Sequence, residues 1–296
     1  MSTPANTPAL VEARVATRKM TLDVIIALVP ALIASNVIFG LRSLLVTALC
    51  VSVAVLSEYI YEKAMKKPVT IGDLSAVVTG LLLSFCLPVS IPLWIAGLGS
   101  VIAIIVVKQL FGGIGYNFAN PAITARVILL ISFGIEMTTW PSLDGVSHAT
   151  PLVGGNPGIT AMLIGMRSGA LGETCAIALL AGGIYLLVRK VITWHIPVAF
   201  LGTVAVISLL TGQDIALQVL GGGLMLGAFF MATDCNTSPI ATSGKLVYGV
   251  GCGLLTMMIR LLGASPEGVS YAILLMNILT PHIDKIPPFK KKGVAA

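Results

Sequence analysis

Charged side chains are scarce in this sequence: they make up 10% of its 296 residues, well below the quarter that is usual in soluble domains. Hydrophobic residues account for 56% of the chain, and the mean hydropathy is +0.99. A soluble fold could not cover so much apolar surface with so few charges. The composition therefore excludes a soluble globular enzyme, a coiled coil and a disordered chain, and it predicts an all-α polytopic membrane protein embedded in the lipid bilayer.

The sequence also lacks the residue spacings of common metal and nucleotide sites. Its five cysteines form no CxxC pair, its three histidines do not cluster, and HExxH is absent. The glycine-rich run that begins at Gly112 follows no predicted strand, which argues against a Rossmann or P-loop site. The net charge of +6 resides mainly in short loops between apolar spans. We therefore interpret it as a topology signal and expect no nucleic-acid partner.

About ten stretches are apolar enough to cross a bilayer as helices, for which about 20 residues are needed. The third stretch is short and ends at Pro88. Short spans interrupted by proline or glycine are typical of broken helices that line a buried site. The ten predicted spans are 21–39, 44–61, 74–88, 91–109, 121–135, 174–192, 196–211, 215–232, 246–262 and 269–283.

The distribution of lysine and arginine predicts the orientation of these spans. With ten spans, Arg42, Arg167 and Arg260 fall on one side of the membrane, and Arg126 lies inside a span. The positive-inside rule then places both termini in the cytoplasm. The other fourteen basic residues share the cytoplasmic side: Arg14, Arg18, Lys19, Lys63, Lys66, Lys67, Lys108, Arg189, Lys190, Lys245, Lys285, Lys290, Lys291 and Lys292.

Two segments of the chain resemble each other and suggest an internal repeat. Residues 79–88 and 222–231 are similar apolar runs, and each is followed by a polar or proline-containing break and then by a glycine-spaced span. The repeat predicts two halves of five spans, 21–135 and 174–283. Because five is odd, the halves have opposite orientations, and inverted repeats commonly form a site at their interface. The remaining predicted segments are a cytoplasmic 1–20, an extracytoplasmic loop 136–173 and a cytoplasmic basic tail 284–296.

The loop 136–173 contains the sequence DGVSHATPL at 144–152. Its Asp, Gly, Ser and Pro residues are common in turns, so an ordinary loop is one interpretation. The spacing D-x-x-S-x-A-T also resembles the acceptor motif at which bacterial flavin transferases attach FMN to a threonine hydroxyl through a phosphoester. Under this interpretation Thr150 is the acceptor, and Asp144, Ser147 and Ala149 belong to the motif that a flavin transferase reads. Arg167 is a candidate partner for the phosphate.

Other polar residues allow both a structural and a functional interpretation. Asn117 and Asn120 could hydrogen-bond the ring of a second flavin, or they could cap the helix that begins at Pro121. Arg126 lies inside a predicted span, where an ionisable residue is a functional candidate unless an acidic partner explains it. Asp23 and Asp234, near predicted cytoplasmic ends, could be solvated caps or part of an ion pathway.

Three segments together resemble a known family across nearly the whole chain. They are GGIGYNFANPA at 112–122, DGVSHATPL at 144–152 and MATDCNTSPIATSGKLVYG at 231–249. The family comprises the D subunits of Rnf complexes and the homologous B subunits of sodium-pumping NADH:quinone reductases. The short segment before the first span favours the Rnf branch, and the quinone-reductase B subunit is the alternative.

The resemblance carries several implications. It implies a membrane subunit of an ion-translocating ferredoxin:NAD oxidoreductase that has no stand-alone activity, carries electrons through FMN bound covalently at Thr150, and works with the other Rnf subunits. It also implies a fold like that of urea transporters, with two inverted five-helix repeats, and riboflavin as a possible second cofactor. A solute channel or transporter on the same scaffold is a second hypothesis, because fold does not fix function. A purely structural assembly subunit is a third.

Overall fold

The computed structural model describes residues 8–141, 147–148, 152, 158–165, 167–263 and 268–285. Within these ranges the regular structure is helical, apart from one antiparallel ladder of two residues per strand. The helices are apolar, and the prediction of an all-α chain is confirmed for the part that the structure describes.

The first half of the described chain contains five helices that are numbered here in chain order. A 3₁₀ turn, Ile71–Asp73, precedes the third, and a π-helix, Ile102–Gln109, continues the fourth. These helices are α1 (Pro8–Phe39), α2 (Leu41–Ala64), α3 (Ser75–Phe85), α4 (Leu93–Val101) and α5 (Pro121–Ser132).

The connecting region and the second half follow the same numbering. The connecting region contains α6 (Gly134–Thr138), β1 (Trp140–Pro141), β2 (Ser147–His148) and α7 (Ile159–Ile164). The second half contains α8 (Ala176–Val188), α9 (His195–Leu210), α10 (Ile215–Leu220), α11 (Leu224–Leu226), a π-helix that continues α11 over Gly227–Met231, α12 (Thr242–Leu262) and α13 (Gly268–Ile283).

The length and surface of the helices suit a bilayer. Three described helical segments are long and apolar enough to cross a membrane: Arg14–Phe39, Leu41–Ala64 and Thr242–Leu262. Large apolar side chains such as Val37 and Leu262 are 80% and 82% exposed. In water such a surface would cost free energy, whereas in lipid it has no such cost. The protein is therefore a membrane protein.

Helix occupies at least part of each of the ten predicted spans, but several helices are short, and the third and eighth spans bear on the interior sites. The third holds only the 11 residues of α3, a rise of about 16 Å, and Pro88 follows its end. The eighth, 215–232, is broken at Gly221–Gly223, where Gly222 and Gly223 have φ of +61° and +69°. Such values suit glycine and end a right-handed helix. The sequence did not predict this second interruption.

Backbone groups at the interruptions bond to other parts of the chain. After α3, the carbonyl groups of Phe85 and Leu87 accept hydrogen bonds from the N–H groups of Gly172 and Leu171, both at 3.0 Å. The Arg42 side chain donates to the carbonyl of Val89 at 2.8 Å. In a bilayer, unpaired backbone groups have no water to bond with. These contacts therefore hold the connecting region against the end of α3.

The two halves interlock through their first helices, because α1 packs against α8. A β-carbon on Gly182 would collide with the backbone oxygen of Ala27, so only glycine allows this approach. At the same interface the Asp23 carboxylate accepts hydrogen bonds from Arg189 at 3.2 Å and from the Tyr185 hydroxyl at 3.1 Å. Asp23 therefore has a structural partner in the second half.

We expect Gly182→Ala to lower the thermal midpoint of the detergent-solubilised protein. The added methyl group meets backbone that cannot move aside, and overpacking of this kind costs about 1–3 kcal/mol or more. The matched control is Gly202→Ala on α9, where a β-carbon would have no neighbour within 4 Å. The midpoint can be measured by size-exclusion chromatography after heating. Equal midpoints for the two variants would contradict the packing assigned to α1 and α8.

Candidate functional site

A cavity of about 360 Å³ lies among helices of both halves. This volume is at the small end of the range for ligand pockets. Its wall is mostly apolar and includes the rings of Phe229 and Phe230 from the second π-helix. Polar groups enter it from the segment before α5, from the end of the first π-helix and from the segment after the second. An apolar pocket with few polar groups is the usual form of a cofactor site.

Asn120, one of the two predicted ring-binding residues, caps α5. Its side-chain oxygen accepts hydrogen bonds from the N–H groups of Ala122 at 3.0 Å and Ile123 at 3.3 Å. Its amide nitrogen donates to the backbone oxygen of Met231 at 3.5 Å. The capping interpretation therefore holds for Asn120, which ties the start of α5 to the second π-helix although it also lines the cavity.

Asn117 differs from Asn120 in its hydrogen bonding. Its amide nitrogen donates to the backbone oxygen of Ala119 at 3.3 Å, but its side-chain oxygen, Oδ1, is buried and has no hydrogen-bond partner among the described residues. A buried acceptor without a donor costs about 1–3 kcal/mol. Asn117 lines the cavity, so a ligand that donates a hydrogen bond there would satisfy this oxygen.

Asp234 lines the same cavity just after the second π-helix. Its carboxylate accepts hydrogen bonds from the backbone N–H of Asn236 and from the Thr237 hydroxyl, both at 3.3 Å. Burial raises the pKa of Asp234 above its ordinary value, and these two hydrogen bonds oppose the rise. Asp234 therefore takes up a proton at a higher pH than a solvated carboxyl group does.

Lys108, which lines the cavity, belongs to a buried ion pair. Lys108 Nζ lies 2.5 Å from Oε1 of Glu58 and donates to the Ser75 hydroxyl at 2.6 Å. Gln109 Nε2 donates to the same glutamate oxygen at 2.7 Å. Glu58 is fully buried and Lys108 is 3% exposed. Sequence analysis missed this pair, although a carboxylate inside the predicted span 44–61 was a signal that a buried partner was needed.

A second polar cluster surrounds the glycine break in the eighth span. We call Arg126, Arg167, Glu173 and Arg260 the arginine cluster. Arg167 Nη2 donates to the backbone oxygen of Glu173 at 2.5 Å, and the Glu173 carboxylate accepts from the N–H of Ala170 at 3.1 Å. Burial lowers the pKa of Arg167, and the negative charge of Glu173 opposes this change. The cluster, in which Arg260 is half-buried and the other three side chains are buried, thus contains both signs of charge.

The glycine run Gly221–Gly223 lies against three members of the cluster: Arg126, Glu173 and Arg260. A β-carbon on Gly223 would lie 2.7 Å from Glu173 Oε2 and 3.9 Å from Arg126 Nη1. A β-carbon on Gly222 would lie 2.7 Å from Arg260 Nη2. These side chains fill the space that any residue other than glycine would need. Arg126, predicted as a functional candidate inside a span, therefore lies beside the carboxylate of Glu173.

Arg260 joins this cluster to the helix that ends at the break. Its Nη1 donates to the backbone oxygen of Gln218 at 2.6 Å, and its Nη2 donates to that of Gly221 at 3.1 Å. Leu152 also lies against Gly222, and a β-carbon added to this glycine would be 2.6 Å from Leu152 Cδ1. Arg260 is therefore next to the connecting region as well as to α10.

The predicted acceptor motif is flanked by described residues on both sides. Asp144, Ala149 and Thr150 lie outside the described residues. Ser147 is in β2, whose backbone pairs with β1, and His148 stands opposite Trp140. Trp140 is 3% exposed and anchors this ladder. The roles predicted for the four motif residues stay predictions.

Comparison with known proteins identifies the family of the chain. The model of the NQR2, RnfD, RnfE family matches residues 5–292. The chain belongs to this family. The resemblance inferred from the three sequence segments is thereby confirmed.

Similar curated proteins cover almost the same length. The chain is 46% identical to the D subunit of the Na(+)-translocating ferredoxin:NAD(+) oxidoreductase complex of Acetobacterium woodii, over 96% of this chain and 93% of the relative. It is 43% identical to the D subunit of the proton-translocating ferredoxin:NAD(+) oxidoreductase complex of Clostridium ljungdahlii, over 93% and 91%. It is 36% identical to the D subunit of the ion-translocating oxidoreductase complex of Marinobacter nauticus, over 94% and 91%. The first two names give different ions at nearly equal identity, so similarity does not assign an ion to this chain.

Removing one member of the Glu58–Lys108 pair should destabilise the protein more than removing both. Glu58→Met or Lys108→Met leaves a buried charge without its partner, which costs about 3–5 kcal/mol. The double variant, with two apolar side chains, should recover much of this loss. Thermal midpoints of the four proteins in detergent form a double-mutant cycle. Additive losses in the double variant would contradict the buried pair.

Proposed function

We propose that this chain is the membrane-embedded D subunit of an ion-translocating ferredoxin:NAD oxidoreductase complex. The observation that carries the proposal is the similarity to three D subunits over more than 90% of this chain. The sequence contains no nicotinamide or iron–sulfur motif, so electrons reach and leave the chain through the other subunits of the complex. On its own it has no enzymatic activity.

The electron carrier in this proposal is FMN attached covalently to Thr150. The support is the motif formed by Asp144, Ser147, Ala149 and Thr150 within a region whose ends pack against the helical domain. FMN supplies redox chemistry that no amino-acid side chain offers. The chain contributes the threonine hydroxyl for the phosphoester, and a flavin transferase recognises the residues before it.

The cavity provides a second, non-covalent flavin site in this proposal, with riboflavin as its ligand. Asn117 Oδ1 is a buried acceptor that suits an imide N–H donor, and the rings of Phe229 and Phe230 offer apolar surface to an aromatic ligand. Asn120 acts indirectly, because it fixes the start of α5 beside Asn117. In this proposal Asn117 binds the ligand, whereas Asn120 positions Asn117.

We further propose two inverted five-helix repeats like those of urea transporters. Helices α3 and α11 begin at Ser75 and Leu224, and α4 and α12 begin at Leu93 and Thr242, so both pairs are 149 residues apart. Leu74 and Gly223, which precede α3 and α11, have nearly identical left-handed backbones, with φ of 63° and 69° and ψ of 8° and 9°. The sequence similarity between 79–88 and 222–231 does not follow this offset of 149 residues.

Contacts between the halves support the same arrangement. The first helices of the halves, α1 and α8, pack against each other, and so do the last, α5 and α13. A two-fold axis between the halves would produce such contacts between equivalent helices. In the proposed orientation both termini are cytoplasmic, Thr150 faces the outside of the bacterial inner membrane, and the cavity lies toward the cytoplasmic side.

Thr150→Ala should abolish the covalent flavin. Protein produced together with its flavin transferase should show in-gel flavin fluorescence and an FMN mass increment on the peptide that contains Thr150. The variant should show neither, because alanine has no hydroxyl to esterify. Thr160→Ala is the matched control, since Thr160 is exposed in α7 outside the motif. Fluorescence that persists unchanged in Thr150→Ala would refute the attachment site.

Asn117→Leu should reduce the non-covalent flavin that denaturation releases from the purified protein. The test is best made in the Thr150→Ala background, where any remaining flavin is non-covalent. Leucine has the same branched shape but no acceptor, so the loss should exceed that of Asn236→Ala at the rim of the cavity. Flavin in the supernatant can be measured by chromatography with fluorescence detection. Unchanged flavin content in Asn117→Leu would remove the cavity from the proposal.

A further inference from the structure

Lys108 presents the positive end of its ion pair with Glu58 to the cavity. Lys108 is among the residues that line the cavity, whereas Glu58 is not among the described residues of its wall. Both side chains are buried, with 3% and 0% of their surface exposed. Two opposite charges fixed in the interior form a dipole, and this dipole has its positive end at the cavity.

One N–H bond of the Lys108 ammonium group has no acceptor among the described residues. An ammonium group carries three N–H donors. Glu58 Oε1 accepts from Nζ at 2.5 Å, and the Ser75 hydroxyl oxygen accepts at 2.6 Å. The Ser75 hydroxyl in turn donates to the Asp73 carboxylate at 2.5 Å, which fixes its orientation. The third donor of Lys108 is therefore available to a ligand in the cavity.

The cavity thus offers a buried donor and a buried acceptor. The donor is on Lys108, and the acceptor is Asn117 Oδ1, which is without a partner in the part of the chain that the structure describes. A ligand that satisfies both must accept one hydrogen bond and donate another. A quinone ring has carbonyl acceptors but no N–H donor, whereas the imide of a flavin ring has an N–H between two carbonyl groups. The two side chains therefore favour the imide.

We propose that Lys108 is a flavin-contact residue that donates to a ring carbonyl and favours the reduced form of the ligand. This inference rests on the proposed non-covalent flavin site, and it adds a contact residue and a preferred oxidation state. A flavin that takes up two electrons from another subunit and one proton from water becomes an anion, with the negative charge shared by a ring carbonyl. The positive end of the ion pair stabilises this anion more than the neutral oxidised ring.

The other charged residue among the described residues of the cavity wall is Asp234. Its carboxylate accepts hydrogen bonds from the N–H of Asn236 and the hydroxyl of Thr237, which follow it closely in the chain. The acidic partner of Lys108 is Glu58 instead. Lys108 is therefore held in place by a carboxylate outside the wall and not by the one that a ligand would meet.

A purely structural role for Lys108 makes a different prediction. Lys108 neutralises the buried charge of Glu58, so Lys108→Met alone disturbs the fold whether or not a ligand is bound. The double variant Glu58→Met/Lys108→Met removes both charges and recovers stability. If Lys108 served Glu58 alone, this double variant would bind flavin as the parent protein does. If Lys108 contacts the ligand, the double variant stays impaired although it is folded.

The experiment measures flavin binding and redox potential in the Thr150→Ala background. The full chain is purified in detergent, washed free of non-covalent flavin and titrated with riboflavin, and the midpoint potential of the bound flavin is measured by dye-coupled reduction. The same measurements are made on the double variant, on Asn117→Leu and on the matched control Lys63→Met, which replaces an exposed lysine of α2.

We expect the double variant to lose affinity for reduced riboflavin about tenfold more than for oxidised riboflavin, because a hydrogen bond to a charged group is lost. This ratio lowers the two-electron midpoint potential by about 30 mV. Lys63→Met should keep the affinity and the potential of the background protein. Glu58→Gln/Lys108→Gln, which is uncharged but can still form hydrogen bonds, serves if the methionine pair does not fold, and it should show the same fall in potential.

The outcomes separate the inference from the proposed flavin site. A fall in potential that the double variant shows and Lys63→Met does not show supports the inference. If Asn117→Leu weakens riboflavin binding but the double variant keeps the background affinity and potential, the flavin site stands and the role of Lys108 is refuted. If riboflavin does not bind, or binds equally to every variant, the flavin site and the inference are both refuted. Binding of menadione, a quinone, in place of riboflavin overturns both as well.

Discussion

The fold depends on one constraint of the bilayer, which is that backbone groups freed where a helix breaks need partners inside the protein. The end of α3 receives N–H groups from Leu171 and Gly172, and the end of α10 receives the guanidinium of Arg260. Both interruptions are thereby attached to distant parts of the chain. The same residues that satisfy the backbone also bring charge and irregular structure to the interior, where binding sites form.

The sequence was sufficient to predict an apolar, all-helical membrane chain but only part of its interior chemistry. Long apolar runs and proline positions are local signals, so the helical character of the chain and the short α3 followed from them. The break at Gly221–Gly223 did not, because glycine in an apolar run is equally typical of close helix packing. The structure shows that Gly222 and Gly223 have left-handed backbones and that side chains fill the space beside them.

Pairings between distant residues were beyond sequence reasoning for a related reason. Glu58 and Lys108 are 50 residues apart, and nothing local to either indicates the other. Arg126 was recognised as unusual, yet its proximity to Glu173 depends on how the end of the connecting region packs against the first half. The distinction between Asn117 and Asn120 likewise needed coordinates. Both are asparagines before the same helix, but one caps it and the other keeps a buried acceptor.

The π-helix that follows α4 has a consequence for how the chain tolerates insertion and deletion. Its wider turn lets two consecutive residues, Lys108 and Gln109, reach the same oxygen of Glu58. Deleting one residue between Ile102 and Gln109 would allow ordinary α-helical winding, in which consecutive residues point about 100° apart, a wider angle than in a π-helix. Lys108 and Gln109 would then diverge and could not both reach that oxygen. The number of residues in this segment is thus as constrained as their identity.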